Sequence, residues 1–390
     1  MTHARSACIV GIGESQFTRR GAQAHLGEWA LACQAAVNAA ADAGIDLHKI
    51  DGLCSYSGDA TLPWLLQQAL GIEDVRYASM VWGGGGTGSC GALAHATAAV
   101  ESGQAETVLV LRSIVQRPGS RYGEAGGFSE IPQFDLLAPF GMLMPASMIA
   151  PMVQRYLHDY GITEDQVAQV PLTFRANAQH NPRAVTYGQP LTMEQYLASR
   201  MIADPLRLYD CCQENDGACA LLVTTHERAR DLKRTPVRVL AAAQGGDGNW
   251  SAATMGTHCM PAATYGAGNG GQLARNLYSR AGVSAQDLDF AQIYDHFSGT
   301  VLMTLENYGI CDRGEAGHFV ASGHIAPGGK LPLNTSGGLL SEAYIHGLNL
   351  VTEAVRQLRG DSTLQVPQAS VGLVTAGLGT TPTSAAILAI

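Results

Sequence analysis

The sequence predicts an α/β protein made of two similar halves, and three observations predict it. Short apolar runs alternate with alanine- and leucine-rich stretches of helical length, the order expected of strands and helices taking turns. The runs at 107–111 and 218–224 carry no polar alternation, as strands covered on both faces do. The order then restarts. The glycine turn at 83–88, with its helix and strand, is mirrored by the turn at 336–338 with its own helix and strand, which indicates an internal duplication.

The elements follow in order. Residues 7–12 form an apolar strand ending in glycine turns. Residues 28–43 are rich in alanine, a strong helix former, and Gly44 stops the helix. A strand at 52–56 and a buried helix at 62–70 lead to the glycine turn, a helix at about 90–102 and the strand at 107–111. Residues 117–140 are glycine-rich, aromatic and long for a loop, which indicates a lid or insertion. Helices at 144–160, 164–177 and 193–201 extend it into a helical insertion over about 117–205. A strand at 218–224 and a short helix at 227–232 close the first half, 1–233. The second half, 234–390, reads as strand 237–243, helix 272–281, strand 290–293, helices 299–308 and 342–358, and strands 370–374 and 385–390.

Composition narrows the function. The 390 residues are 46% hydrophobic, enough for a sizeable core. No apolar run reaches the ~18 residues needed to cross a membrane. Residues 1–17 lack the basic lead and apolar length of a signal peptide, so a cytoplasmic location is expected. The nine cysteines are scattered and form no CxxC pair, which fits reduced thiols better than disulfides or zinc. A net charge of −9 with no basic run argues against a nucleic-acid partner. An anionic ligand needs a local cationic patch, and the sequence does not locate one.

Two dense motifs stand out, at 292–299 and 333–347. Each reads as a turn feeding a helix, with a tyrosine beside a histidine: Tyr294 with His296, and Tyr344 with His346. Backbone N–H groups are unpaired at helix starts and favour negative charge. Two such starts facing one cavity can hold an oxyanion and supply proton-transfer groups. His346 lies two residues past Tyr344, which on a helix points it away from the tyrosine's face, so it reads as structural. The glycine run lacks the lysine of a phosphate-binding loop. His318 and His324 have no acidic or cysteine partner at ligand spacing, so no metal site is expected. Cys90 falls inside a helix and reads as a buried, inert thiol.

At this point the whole chain resembles the thiolase superfamily, most closely its sterol-carrier-type branch. The duplicated halves, the helical insertion, the passage from Asp204-Pro205-Leu206 to Asn215-Asp216-Gly217-Ala218, and Gly377-Leu378-Gly379 all carry the resemblance. The block at 332–347 is its most specific part. The resemblance implies the thiolase fold, a duplicated five-layer αβαβα arrangement with a helical loop domain. The departures carry the functional information. The family's nucleophilic cysteine maps to about Gly85 or Gly86. The histidine of its His-Asp-Cys-Phe motif is Tyr294 in Tyr294-Asp295-His296-Phe297, and the catalytic histidine of its Gly-His-Pro motif is Tyr344. Its final Cys-x-Gly has become Thr375-Ala376-Gly377.

Both lost histidines became tyrosines, which still donate and accept hydrogen bonds, while the glycine scaffold is kept. This combination resembles the thiolase-like aldolases of steroid side-chain breakdown, retro-aldol lyases that cleave a β-hydroxyacyl-CoA between its α and β carbons. The resemblance implies Tyr294 and Tyr344 as the catalytic pair, with Tyr344 provisionally the base and Tyr294 the acid. It implies Asp295 and His296 as supporting groups. Backbone at Gly85, Gly86, Gly338 and Gly377 would line the substrate and hold the enolate oxygen. The missing side chain at 85–86 would open room for a bulky substrate carbon. CoA belongs to the substrate, and no bound cofactor or metal is expected. The implied partner is a small OB-fold and zinc-ribbon protein of the DUF35 type, joining a homodimer to make a heterotetramer. Two other readings stay open: a non-catalytic acyl-CoA- or lipid-binding scaffold subunit, and a Claisen-type acyltransferase using Cys90.

Overall fold

The computed structural model describes residues 5–56, 58–82, 85–116, 138–247, 265–379 and 382–390. The stretch read as a lid lies outside the described residues up to 137, as do Gly83 and Gly84. The first half runs β1 (Ala7–Glu14), α1 (Gly27–Ala43), β2 (Gly52–Tyr56), α2 (Pro63–Leu70), β3 (Tyr77–Val81), α3 (Ser89–Glu101) and β4 (Thr107–Ile114). It continues with α4 (Pro145–Tyr160), α5 (Glu164–Ala178), α6 (Met193–Leu197) and β5 (Asn215–Thr225). The second half runs β6 (Val237–Gly245), α7 (Gly271–Ala281), β7 (Phe290–Gln292), α8 (Ser298–Asn307) and α9 (Ala316–Ala321). It ends with α10 (Gly338–Ser341), α11 (Leu348–Arg359), β8 (Val371–Ala376) and β9 (Thr383–Ala389).

The strands lie in the order β3-β2-β4-β5-β1 and then β6-β9-β8-β7, joined where Cys8 and Ile9 of β1 pair with β6. Within each group the pattern is the same. β2 is parallel to β4 as β7 is to β8, and β5 is antiparallel to β4 as β9 is to β8. A parallel bridge between Ala291 and Leu333 stands where β3 stands in the first half. The duplication read from the sequence is therefore a duplication of topology.

Layering follows from which helices are covered on all sides. α3 and α11 are buried along most of their length and pack between the two strand groups. α3 is apolar all round, and a helix without a polar face has no place at the surface, whereas α11 buries polar side chains such as Asn349 and Gln357 that are hydrogen-bonded inside. α1 covers the outside of the first group and α7 the outside of the second. The result is the five-layer αβαβα order. Small residues set the spacing of the outer layer: a Cβ on Gly13 of β1 would strike the α1 backbone at Ala35 and Ala39. Gly44 ends α1 in the left-handed conformation, φ 72°, and donates its N–H to the Ala40 carbonyl.

The helical insertion holds the second motif in place. α5 packs on α9, α10 and α8. Arg175 Nε donates to Ser341 Oγ at 3.0 Å, Asn177 Nδ2 to the Leu333 carbonyl at 3.0 Å and Asn181 Nδ2 to the Ser336 carbonyl at 3.1 Å.

Three elements differ from the sequence reading. Residues 342–347 are not helical, because His346 (φ 46°) and Gly347 (φ 81°) take the left-handed conformation and α11 starts only at Leu348. β3 was not visible in the sequence: it is half-exposed and contains Ala78 and Ser79, weak strand formers. α6 stops at Leu197, four residues short of the expected end.

Candidate active site

Tyr294 sits in the turn between β7 and α8, and that turn is tied down on all sides. Ile293 N donates to Asn334 Oδ1 at 2.7 Å, and Tyr294 N donates to Thr375 Oγ1 at 3.1 Å. Cys212 N donates to the His296 carbonyl at 3.0 Å. Thr375, the residue in place of the family's cysteine, thus fixes the backbone of the tyrosine. Tyr344 sits in the irregular 342–347 turn, its N–H held by Asn215 Oδ1 at 2.5 Å. The turns converge. The hydroxyls of Tyr294 and Tyr344, fifty positions apart in the chain, hydrogen-bond to each other at 3.0 Å, and their rings meet edge-on at 6.3 Å. Both are buried, at 3% and 9% exposure.

The ring of Tyr294 occupies a slot cut by two glycines. A Cβ at Gly86 would fall on the Tyr294 hydroxyl. A Cβ at Gly347 would come within 2.9 Å of the ring and 3.1 Å of Ser89 Oγ. The two helix starts that face each other across Tyr294 are therefore those of α3 and α11. Of the two starts expected to form one anion cavity, the one after 333–347 is that of α11 and does reach Tyr294, but α3 stands opposite it in place of the helix after 292–299. The amides of Leu339 and Leu340 at the α10 start are taken by the Asp295 carboxylate, at 2.8 and 3.1 Å. The space beside Gly338 is filled by Asp295 and Asn334, so Gly338 lines no anion site in this arrangement. The space expected beside Gly86 is also filled, by Tyr294 itself, while the space beside Gly85 is open. Gly377 follows β8 with φ 66°, and its carbonyl accepts the Thr383 hydroxyl.

Asp295 stitches the two motifs together. It caps α10 of the second motif, not the α8 helix that follows it. Burial pushes its carboxyl up to about 7, against the pull of those two amides. His296 is pushed the other way, down to about 4, again by burial, with the Tyr294 carbonyl opposing. Its ring lies 5.1 Å from that of Tyr294. His346 does not point away from Tyr344, because it lies on a turn and not on a helix. Its ring stands edge-on to Tyr344 at 5.0 Å, and its Nδ1 accepts from Arg112 Nε at 3.0 Å. Burial first and the Arg112 charge second hold His346 well below its usual range.

Other expected groups fall elsewhere. Cys90 is fully buried, its thiol donates to the Val374 carbonyl at 3.6 Å, and burial pushes its pKa up to about 12. That is no nucleophile at neutral pH. His318 faces Gln166, and His324 packs at a tilt against Phe319. Among the described residues, no group of three or more His, Cys, Asp or Glu side chains is placed to hold a metal. The sequence missed a cationic patch. Arg19, Arg183 and Arg356 line a cleft of about 740 Å³, with Glu14 on its wall bonded to Arg356 at 2.6 Å. These residues come from three distant segments, so no local run reveals them.

A duplicated five-layer fold, with a tyrosine pair where its two central helix starts meet, defines a thiolase-fold protein stripped of thiolase side chains. Comparisons agree. The model of the thiolase C-terminal domain-like family matches residues 251–390. A steroid side-chain-cleaving aldolase of Thermomonospora curvata is 40% identical, covering 98% of this chain and 97% of its own. The 17-hydroxy-3-oxo-4-pregnene-20-carboxyl-CoA lyase of Mycobacterium tuberculosis is 40% identical, covering 98% of each chain. The solved structure of an Ltp2-ChsH2(DUF35) aldolase superposes with a TM-score of 0.92 at 38% identity, over 100% of this chain and 99% of that one. The chain belongs to the thiolase superfamily, among its steroid side-chain-cleaving aldolases.

The slot makes a prediction. Gly86→Ala places a methyl on the Tyr294 hydroxyl and must displace that ring or the glycine turn. Turnover should fall about 10²–10⁴-fold, as for loss of a proton-transfer group, while the thermal midpoint stays within a few degrees. Unchanged turnover in Gly86→Ala would show that the slot does not position Tyr294.

Proposed function

We propose that the chain is a retro-aldol lyase acting on a β-hydroxyacyl-CoA, a 17-hydroxy steroid side-chain thioester. The products are a 17-ketosteroid and propionyl-CoA. The observation that carries this reading is the direct hydrogen bond between Tyr294 and Tyr344, in a chain 40% identical overall to relatives named as a steroid side-chain-cleaving aldolase and a steroid acyl-CoA lyase.

The reaction moves one proton from the β-oxygen to the α-carbon. As the hydroxyl gives up its proton, the O–H electrons become the ketone, and the Cα–Cβ pair moves onto the thioester as an enolate. Backbone at the Gly86 and Gly377 turns lies on the enolate side, and the tyrosine pair returns a proton to the α-carbon. No bond to the protein forms, which is consistent with a thiol as buried as Cys90. CoA enters as part of the substrate, and this route needs no further cofactor.

The assembly in this reading is a homodimer that binds a small DUF35-type partner to form a heterotetramer. The solved Ltp2-ChsH2(DUF35) aldolase supports such a partner. β3 supports the homodimer. It is the free edge of the described strands, with Met80 and Trp82 exposed beside it, and a bare edge is a pairing surface. No helix among the described residues is long and apolar enough to cross a membrane, and a cytoplasmic location is part of the proposal.

Two variants test the chemistry. Tyr294→Phe and Tyr344→Phe each remove one hydroxyl and keep the ring, and each should lower kcat about 10²–10⁴-fold. The double variant should be less than additively worse, because both hydroxyls serve one proton transfer. Near-wild-type turnover in both single variants rejects the mechanism. In contrast, Cys90→Ala should keep cleavage within about threefold, since a general acid–base route has no thiol step. A stoichiometric acyl adduct on Cys90 would revive the acyltransferase reading.

A further inference from the structure

His296 carries a feature that the supporting role read from the sequence does not use. The residue is buried, at 6% exposure, and among the described residues Nε2 has no hydrogen-bond partner. The surroundings of the other ring nitrogen favour one tautomer. The Thr300 hydroxyl donates its single proton to the Phe297 carbonyl at 2.7 Å. It can therefore only accept from His296 Nδ1, 3.4 Å away. Nδ1 thus carries the proton, and Nε2, on the other edge of the ring, is a bare lone pair.

The retro-aldol step needs such a group. A neutral phenol gives a proton readily and takes one poorly, and a tyrosine has a pKa of ~10 in water. Two neutral tyrosines in contact therefore supply an acid but no base. His296 is neutral, unpartnered at Nε2, and 5.1 Å ring to ring from Tyr294. His346 cannot do the same through Nδ1, which already accepts from Arg112.

We propose that His296 Nε2 is the general base that takes the proton of the substrate's tertiary β-hydroxyl, leaving the tyrosine pair to serve the enolate. This rests on the retro-aldol reading and replaces the assignment of Tyr344 as base. The balance is simple. The hydroxyl proton goes to Nε2, the O–H pair forms the ketone, and the Cα–Cβ pair forms the enolate. A tyrosine gives its proton to the α-carbon, and the imidazolium then returns one proton to the tyrosinate.

The test separates proton transfer from binding and folding. The full chain, with its partner if one is required, is assayed for cleavage of the 17-hydroxy thioester. Its Kd for propionyl-CoA and its thermal midpoint are measured separately, and neither needs a proton transfer. His296→Gln keeps a polar side chain and removes the base. Cleavage should fall about 10²–10⁴-fold, while the Kd stays within about threefold of wild type and the thermal midpoint within a few degrees. Cleavage within about threefold overturns the proposal. Loss of cleavage matched by loss of propionyl-CoA binding, or by a thermal midpoint lowered by more than a few degrees, also overturns it, because it assigns His296 a purely structural role. Failure of the wild-type protein to cleave the thioester would contradict the proposed function instead.

Discussion

The site depends on one close approach: the ring of Tyr294 lies directly against the backbone of Gly86 and Gly347. Side chains on those two residues would occupy the same volume as the ring. A side chain at Gly86 and the ring of Tyr294 are therefore alternatives in the same space. A thiol at Gly86 could be regained only by giving up the present seat of Tyr294.

Holding a tyrosine there takes a rigid surround, and the sequence supplies it with buried polar groups. Unpaired, each of these would cost about 1–3 kcal/mol. Asp295 is capped by two amides of α10. Glu342, two residues from Tyr344, accepts from Ser336 Oγ at 2.8 Å, Asn181 Nδ2 at 2.8 Å and Asn349 Nδ2 at 3.1 Å. Burial, then the nearby Glu14 and Glu353 charges, push Glu342 up to about 7. Such hydrogen-bonded networks fix one geometry where an apolar core would tolerate several.

Much of the fold was legible in the chain itself. Alanine composition and Gly44 give α1, unbroken apolar runs give β4 and β5, and the repeated glycine turns give the duplication. The tyrosine pair was legible only through the family motifs, because nothing local relates residue 294 to residue 344. The slot was not legible at all. It joins residues some two hundred positions apart, and a glycine run reads equally well as empty space. The 342–347 turn reads as helix in the sequence because His346 in the left-handed conformation, φ 46°, has no local signature. The arginine cleft was invisible for the same reason as the slot: it is assembled from three distant segments.

The central claim is a retro-aldol cleavage without a covalent intermediate, and isotope incorporation tests it most directly. The 17-hydroxy thioester is cleaved in D₂O, and the products are weighed by mass spectrometry at early conversion. The account predicts propionyl-CoA carrying one deuterium at C2, formed in equal amount with unlabelled 17-ketosteroid. Propionyl-CoA without deuterium, or thioester consumed with no ketosteroid released, would contradict it.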